Sequence, residues 1–332
     1  MKDYSEAVWN ILSQPAYIQT DSYCDVGVTT VYHYTSPEGL LGIFPDKEDP
    51  KLWFTKYDSL NDTSERTNLI EYLRLYCDRK VSESKLSPIF ASTIKSLELS
   101  DYQLITLPGK EPIELEHNGV IEEYTDTRYV PCDTYLCCFS RHPDLLPMWN
   151  YYSKSQHYEG YSVGFLSNYF EHSMSFEKGY SIELKRVLYV RSEKDKLLDA
   201  IILPFNDLFT EQTSDREDIK RIIQGKINEL QFVFKNECFR HEEEIRAILR
   251  IPREHIGSAD KNESNNFAVK YRNSHGYIVP YIEYKVAKIA VNGITVAPLL
   301  QSDLAIKNLH ELMQQRGCGN IWIEPSVVPI RF

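Results

Sequence analysis

The sequence predicts an α+β fold, a core of short strands with helices set among them as insertions. Short β-branched and aromatic runs recur along the chain, and four of them follow one another between residues 244 and 291 with no helix between, which regular α/β alternation would not produce. No repeat, low-complexity tract or Pro/Gly/Ser-rich linker divides the 332 residues. A single domain over 1–332 is therefore expected, with insertions near 100–131 and 194–236.

Each element has a local reason. Val26 to Tyr34 is a β-branched and aromatic run that reads as a strand, and Ser36-Pro37-Glu38 supplies an N-cap with proline at the first helical position. Leu52 to Thr55 is a second strand, and the cap-rich turn at 61–65 opens a helix to about Arg79. Residues 82–98 read as helical, and the polar stretch from 100 to 131, with its Pro108-Gly109 and Asn118-Gly119 turn signals, as an insertion or surface hairpin. Tyr135 to Ser140 has the continuous apolar look of a buried strand, followed by a helix carrying Met148, Trp149 and Tyr152. Strands are expected at 161–165 and 184–190, then two helices between about 195 and 236, the second with Ile222, Ile223, Ile227 and Leu230 at helical spacing. The successive strands are 244–251, 267–271, 277–284 and 286–291, before a helix over 303–315 and a last strand at 321–323.

Composition excludes several classes. Hydrophobic residues at 42% and charged ones at 26% are those of a globular chain, not a disordered or membrane one. Lys plus Arg at 37 against Asp plus Glu at 48 leaves a net charge of −11, so no global positive field gathers nucleic acid or anionic membrane, although a local patch could. Seven cysteines without a CxxC pair indicate neither a disulfide framework nor a zinc site. The acidic start, Asp3 and Glu6, has no apolar run after it, and no stretch approaches the roughly 20 residues of a spanning helix. A cytoplasmic protein with no membrane contact and no metal is expected.

Three places could carry chemistry. His33 and Tyr34 emerge where a strand meets a helix, a common position for binding groups, and the alternative is a core histidine satisfied by a backbone carbonyl. In His241-Glu242-Glu243-Glu244-Ile245-Arg246, strand alternation would put Glu242, Glu244 and Arg246 on one face, either as a solvated strand start or as a site with a tuned carboxylate. Trp149 and Tyr152, three apart on a helix, could wall a pocket for a flat ligand, or Trp149 could be core. No GxGxxG, Walker or GxSxG signature is present.

Taken in order, these pieces resemble the bacterial family catalogued as domain of unknown function 2971. They comprise His33-Tyr34-Thr35-Ser36, Leu52-Trp53-Phe54 leading to Asn61-Asp62 and Glu65, Cys138-Phe139-Ser140, Met148-Trp149 with Tyr152, Gly160 with Gly164-Phe165, Glu242 with Glu244 and Arg246, and Ser326 to Arg331. The resemblance runs nearly end to end and is poorest at 100–131 and 194–236. That family in turn resembles the ADP-ribosyltransferase superfamily of the His-Tyr-Glu type, which implies a split β-sheet core with NAD in a cleft. The resemblance implies that His33 hydrogen-bonds the ribose and that Glu244 directs the chemistry, with Glu242 as its substitute. An aromatic among Tyr34, Trp149 and Tyr152 would stack on nicotinamide. Arg246, Thr35 and Ser140 complete the implied cofactor-binding set. Ile245 stands where the family usually has Trp, and its Gly-Pro is displaced into Gly293 and Ala297-Pro298.

The expected function is mono-ADP-ribosyl transfer from NAD, the substrate cofactor, to a protein or nucleic-acid acceptor by a toxin or phage-defence effector, with an antitoxin or other inhibitory partner. NAD hydrolysis is the alternative within enzymes. A non-catalytic nucleotide- or protein-binding module is the alternative outside them.

Overall fold

The computed structural model describes residues 4–27, 29–60, 64–100, 103–117, 120–152, 159–171, 180–210, 214–257, 267–274, 276–300 and 302–329. Helix α1 (Glu6–Leu12) opens under Ser5, whose hydroxyl accepts from the Val8 amide, and α2 (Pro15–Ile18) follows. Strand β1 (Thr30–Thr35) runs into α3 (Pro37–Ile43), where Ser36 accepts from the Gly39 amide and Pro37 is the first helical residue, as the sequence predicts. Next come β2 (Lys51–Lys56), α4 (Ser64–Ser82) and α5 (Pro88–Lys95). The helix expected over 82–98 is shorter because Ser84 turns left-handed, at φ 57°, and Ser87 caps a new start at Pro88. Strands β3 (Gln103–His117) and β4 (Val120–Ser140) pair as one long antiparallel hairpin where an insertion or hairpin is expected.

The chain continues through α6 (Leu146–Tyr152), β5 (Tyr161–Leu166), α7 (Asn168–Glu171) and β6 (Ser181–Arg186), then α8 (Arg191–Ile202) and α9 (Arg216–Leu230). It closes with β7 (Glu244–Pro252), β8 (Lys270–Ser274), β9 (Tyr277–Lys285), β10 (Val291–Val296), α10 (Asp303–Gln315) and β11 (Trp322–Pro325). Four strands differ from expectation. The run expected from Val26 pairs only from Thr30, and the one expected at 267–271 pairs as 270–274, with Phe267 in an isolated bridge to Ile256. The run expected at 286–291 pairs instead from 291 to 296, because β5 offers its ladder there, Phe165 opposite Val291 and Tyr161 opposite Val296. The run expected at 184–190 pairs as 181–186, and Leu188 makes only an isolated bridge to Phe234.

The fold is mixed α and β, and its strands join one large sheet. Its order is β11-β10-β5-β1-β4-β2-β9-β8, with β3 and β7 also on β4 and β6 on β7. Strands β10 and β11 pair in parallel, while β1, β2, β3 and β7 pair β4 antiparallel and β5 pairs β1 and β10 antiparallel, so the sheet is mixed. Two compact units are present, each assembled from separate stretches. One consists of Met1–Val26, Asn61–Ser100 and Lys185–His241, and the other of Gly27–Leu60, Asp101–Leu184 and Glu242–Phe332.

The first unit is helical and includes the 194–236 stretch. Ile219, Ile223, Ile227 and Leu230 form the buried stripe of α9, and Leu197, Leu198, Ile201 and Ile202 that of α8. Four residues spread over two turns of α4 meet two residues one turn apart on α8. Tyr72 and Arg79 bond Asp195, and Tyr76 and Lys80 bond Asp199. The second unit holds nearly all of the sheet. There β1 and β2 pair the same edge of β4 at different places, β2 at Tyr135 and Leu136 and β1 only at Ser140. The two strands therefore part company along β4 between those points.

Candidate functional site

Register decides which side chains share a face of the second unit. Ser140 lies opposite both Tyr32 of β1 and Glu244 of β7, Cys138 lies opposite Arg246, and Ser162 lies opposite both Tyr34 and Thr295. Directly opposed residues point the same way, so these residues lie on one face. Thr55 and Thr134 join them through Leu136 and Arg250. That face buries Thr55, Thr134, Ser140, Ser162, Glu244, Arg246, Arg250 and Thr295, with Leu136 and Ile248 among them. The other face carries Val31, Cys137, Phe139, Val163, Phe165, Ile245, Ala247 and Leu249, all buried.

Glu244 and Arg246 are the charged centre of the polar face. Arg246 Nε donates to Glu244 Oε1 at 2.8 Å and Nη2 to Oε2 at 3.2 Å, a two-pronged ion pair whose partners are 5% and 1% exposed. The expected alternation holds for these two and fails for Glu242. Strand β7 begins only at Glu244, because Glu243 sits in the left-handed region at φ 43° and Glu242 ends a 3₁₀ turn. Glu242 is nonetheless buried, and its carbonyl accepts from Ser140 Oγ at 3.0 Å. The Glu243 carboxylate turns outward to His142 Nε2, 3.0 Å away.

His33 lies on the other face. Its Nδ1 is 3.0 Å from the Cys138 carbonyl, which can only accept, so Nδ1 carries the proton. That carbonyl lies in the interval of β4 between the β2 and β1 pairings. The imidazole also meets the Phe139 ring edge to face, with centroids 5.7 Å apart. Burial holds the imidazole below its ordinary pKa, the Cys138 bond opposes this, and the positive charge of Arg272 adds to the lowering. This is a half-buried histidine bonded to a carbonyl, and Glu244 is not on its face. The expectation that His33 and Glu244 line one cleft is corrected accordingly: strand parity separates an odd position on β1 from the even positions facing Glu244. Thr35, two residues on, has the parity of His33.

The aromatic candidates divide in the same way. Trp149 is 1% exposed, its Nε1 donates to Asp144 Oδ1 at 2.7 Å, and its ring packs on Tyr34 at 4.7 Å between centroids. Tyr34 donates to the His142 carbonyl at 3.0 Å and accepts from the Leu145 amide at 2.8 Å, and burial pushes its phenol pKa up. Both rings belong to a core cluster with Met148 and Ala297. Tyr152, at 44% exposed, is open to solvent. Ser140 accepts from the His142 amide at 3.3 Å, besides its bond to Glu242.

Two residues with no sequence signal stand out. Asp144 accepts from Trp149, from Ser326 Oγ at 2.6 Å and from the Val327 amide at 2.7 Å, so one carboxylate ties α6 to the chain after β11. Arg272 of β8 donates to Thr55 Oγ1 at 2.8 Å and lies over the rings of Trp53 and Tyr281, at 5.5 and 5.9 Å. Among the described residues no group of three or more His, Cys, Asp or Glu is placed to hold a metal ion, and no helix is long and apolar enough to cross a membrane.

Residues 148–247 match the model of a family described as a protein of unknown function, DUF2971. The match runs from α6 to β7 and includes Trp149, Tyr152, Glu242, Glu244 and Arg246, together with the whole 194–236 stretch. It is narrower than the end-to-end resemblance, and His33, Tyr34, Thr35 and Ser140 lie outside it. No curated protein and no solved structure matches the chain.

Proposed function

We propose that this protein breaks the bond between nicotinamide and ribose in NAD and passes ADP-ribose to a protein or nucleic-acid acceptor, with Glu244 as the carboxylate that directs the reaction. One observation carries the reading: a buried carboxylate, fixed in orientation by a guanidinium, stands in a polar layer of the sheet beside the place where β1 and β2 separate. Cleavage of this bond passes through an oxocarbenium-like state, which an oriented carboxylate near the ribose stabilises. Nicotinamide leaves as a neutral base, so no second carboxyl group is needed as general acid. Glu244 would hydrogen-bond a ribose hydroxyl, and Arg246 would hold it in that orientation. The role implied for His33 passes to residues on the Glu244 face, because His33 points to the opposite face of the sheet.

A second reading, a non-catalytic nucleotide- or protein-binding module, is favoured by a different observation. The polar atoms of Tyr34, Ser140 and Trp149 all serve internal hydrogen bonds, as they would in a scaffold. Labelled NAD, with candidate proteins, RNA and DNA, separates the readings. Label transferred to a macromolecule by the wild type and lost in Glu244→Gln supports the proposal, and free ADP-ribose without labelled acceptor makes the protein a hydrolase. NAD held in calorimetry without turnover makes it a binding module. Turnover unchanged in Glu244→Gln removes Glu244 from the chemistry.

A further inference from the structure

The helical unit contains a cavity of about 290 Å³ with aromatic walls at Tyr72, Tyr189 and Phe234 and cations at Arg191, Lys194 and Lys235. Lys194 is one of its lining residues. The residue is 7% exposed, and its ammonium lies 5.4 Å from the Tyr72 centroid and 5.5 Å from that of Phe234, two rings set at 90° to each other. One proton goes to the Lys235 carbonyl at 2.6 Å. The remaining two have aromatic faces as neighbours, and among the described residues no carboxylate lies within ion-pair distance of this nitrogen.

The nearby acids are otherwise engaged. Asp195 takes the guanidinium of Arg79 and the hydroxyl of Tyr72, and Glu193 pairs with Arg186. Glu71 and Glu237 line the cavity without pairing with Lys194. Burial pulls the Lys194 ammonium below its ordinary pKa, and the charges of Glu237 and Glu193 offset only part of that. A buried cation without its counter-ion is costly in a finished core and ordinary in a binding site, where the ligand brings the opposite charge.

We propose that this cavity is a binding site for a small molecule that carries a flat ring and a carboxylate or phosphate, the anion meeting Lys194 with Arg191 at the rim and the ring lying among Tyr72, Tyr189 and Phe234. The volume suits one ring system with its anionic substituent. Neither NAD turnover nor Glu244 enters the proposal, so it stands or falls separately from the reading of the sheet.

Calorimetric titration of the full chain with AMP and with benzoate tests it, with adenosine and benzamide as neutral counterparts and inorganic phosphate as the ringless control. The expected result is saturable binding of AMP or benzoate, at least tenfold tighter than its neutral counterpart and weakened at least tenfold in Lys194→Met, which keeps the packed stem. The AMP and benzoate arms decide between phosphate and carboxylate. Arg191→Gln, at a side chain 62% exposed, gives a second measurement should Lys194→Met fail to fold, and several-fold weaker binding is expected there. Binding of neither anion in the millimolar range, equal binding of the neutral compounds, or affinity unchanged in the folded variants overturns the proposal.

Discussion

Replacing Glu244 by Gln should destabilise the second unit by about 3–5 kcal/mol, the cost of removing one charge from a buried ion pair. Arg246 is 1% exposed and directs two nitrogens at the lost charge, 2.8 and 3.2 Å away, so water cannot take over the role of the carboxylate without opening the sheet. With a total near the middle of the typical range of about 5–15 kcal/mol the variant stays folded in buffer, but its urea midpoint falls by at least about 1 M if the slope is about 1–3 kcal/mol per M. The double variant Glu244→Gln/Arg246→Met removes both charges and should recover most of the loss, giving a coupling of about 3 kcal/mol in a double-mutant cycle. Urea titration followed by far-ultraviolet circular dichroism reads all four proteins. Additive losses, or a midpoint unchanged in Glu244→Gln, would refute the claim that the pair is buried and mutually dependent. The same titration fixes the conditions under which loss of NAD turnover in Glu244→Gln can be ascribed to chemistry instead of unfolding.

Three further outcomes are expected. The folded pKa of His33 lies below the ordinary value of 6.5, so the unfolded chain binds the proton more readily: stability is full above that value and falls as pH drops through it toward the folded pKa. His33→Gln, which can still donate to Cys138, should flatten that slope in urea titrations between about pH 7.5 and 5.5, and an unchanged slope counts against a lowered imidazole pKa. Asp144→Ala removes the acceptor shared by Trp149, Ser326 and Val327, and should cost about 2–4 kcal/mol while shifting tryptophan emission to the red and exposing the segment after β11 to protease. Gly293→Ala would set a Cβ 2.8 Å from the indole of Trp322 and push that ring off the sheet edge, at about 1–3 kcal/mol in thermal unfolding; an unaltered melting temperature would mean that the close approach is absent.

Several elements follow from causes that are local to their own residues. Ser36 and Pro37 start α3 through one hydroxyl and one restricted φ, and the apolar spacing of α9 needs only its own turn to be recognised. The helix expected over 303–315 is α10, with Ser302 capping it through the Ala305 amide. The pairing of Glu244 with Arg246 was legible too, since residues two apart on a strand share a face whatever the strand lies beside.

The face itself was not legible. Parity along β1 says only that His33 and Tyr34 point oppositely, and it took the opposition of Tyr32 to Ser140, and of Ser140 to Glu244, to set Tyr34 with Glu244 and His33 against the aromatic core. Glu242 left the expected strand because Glu243 took a left-handed backbone that nothing in a run of three glutamates announces. Trp149 became core, not ligand wall, when Asp144 and Tyr34 closed on it from outside its helix. The sequence by itself determined that helices such as α3, α9 and α10 form, which residues share a face within an element, and that a carboxylate and a guanidinium would meet on β7. Tertiary structure alone decided which faces are turned together and which charges are left without partners, because those depend on strand register and packing between segments far apart in the chain.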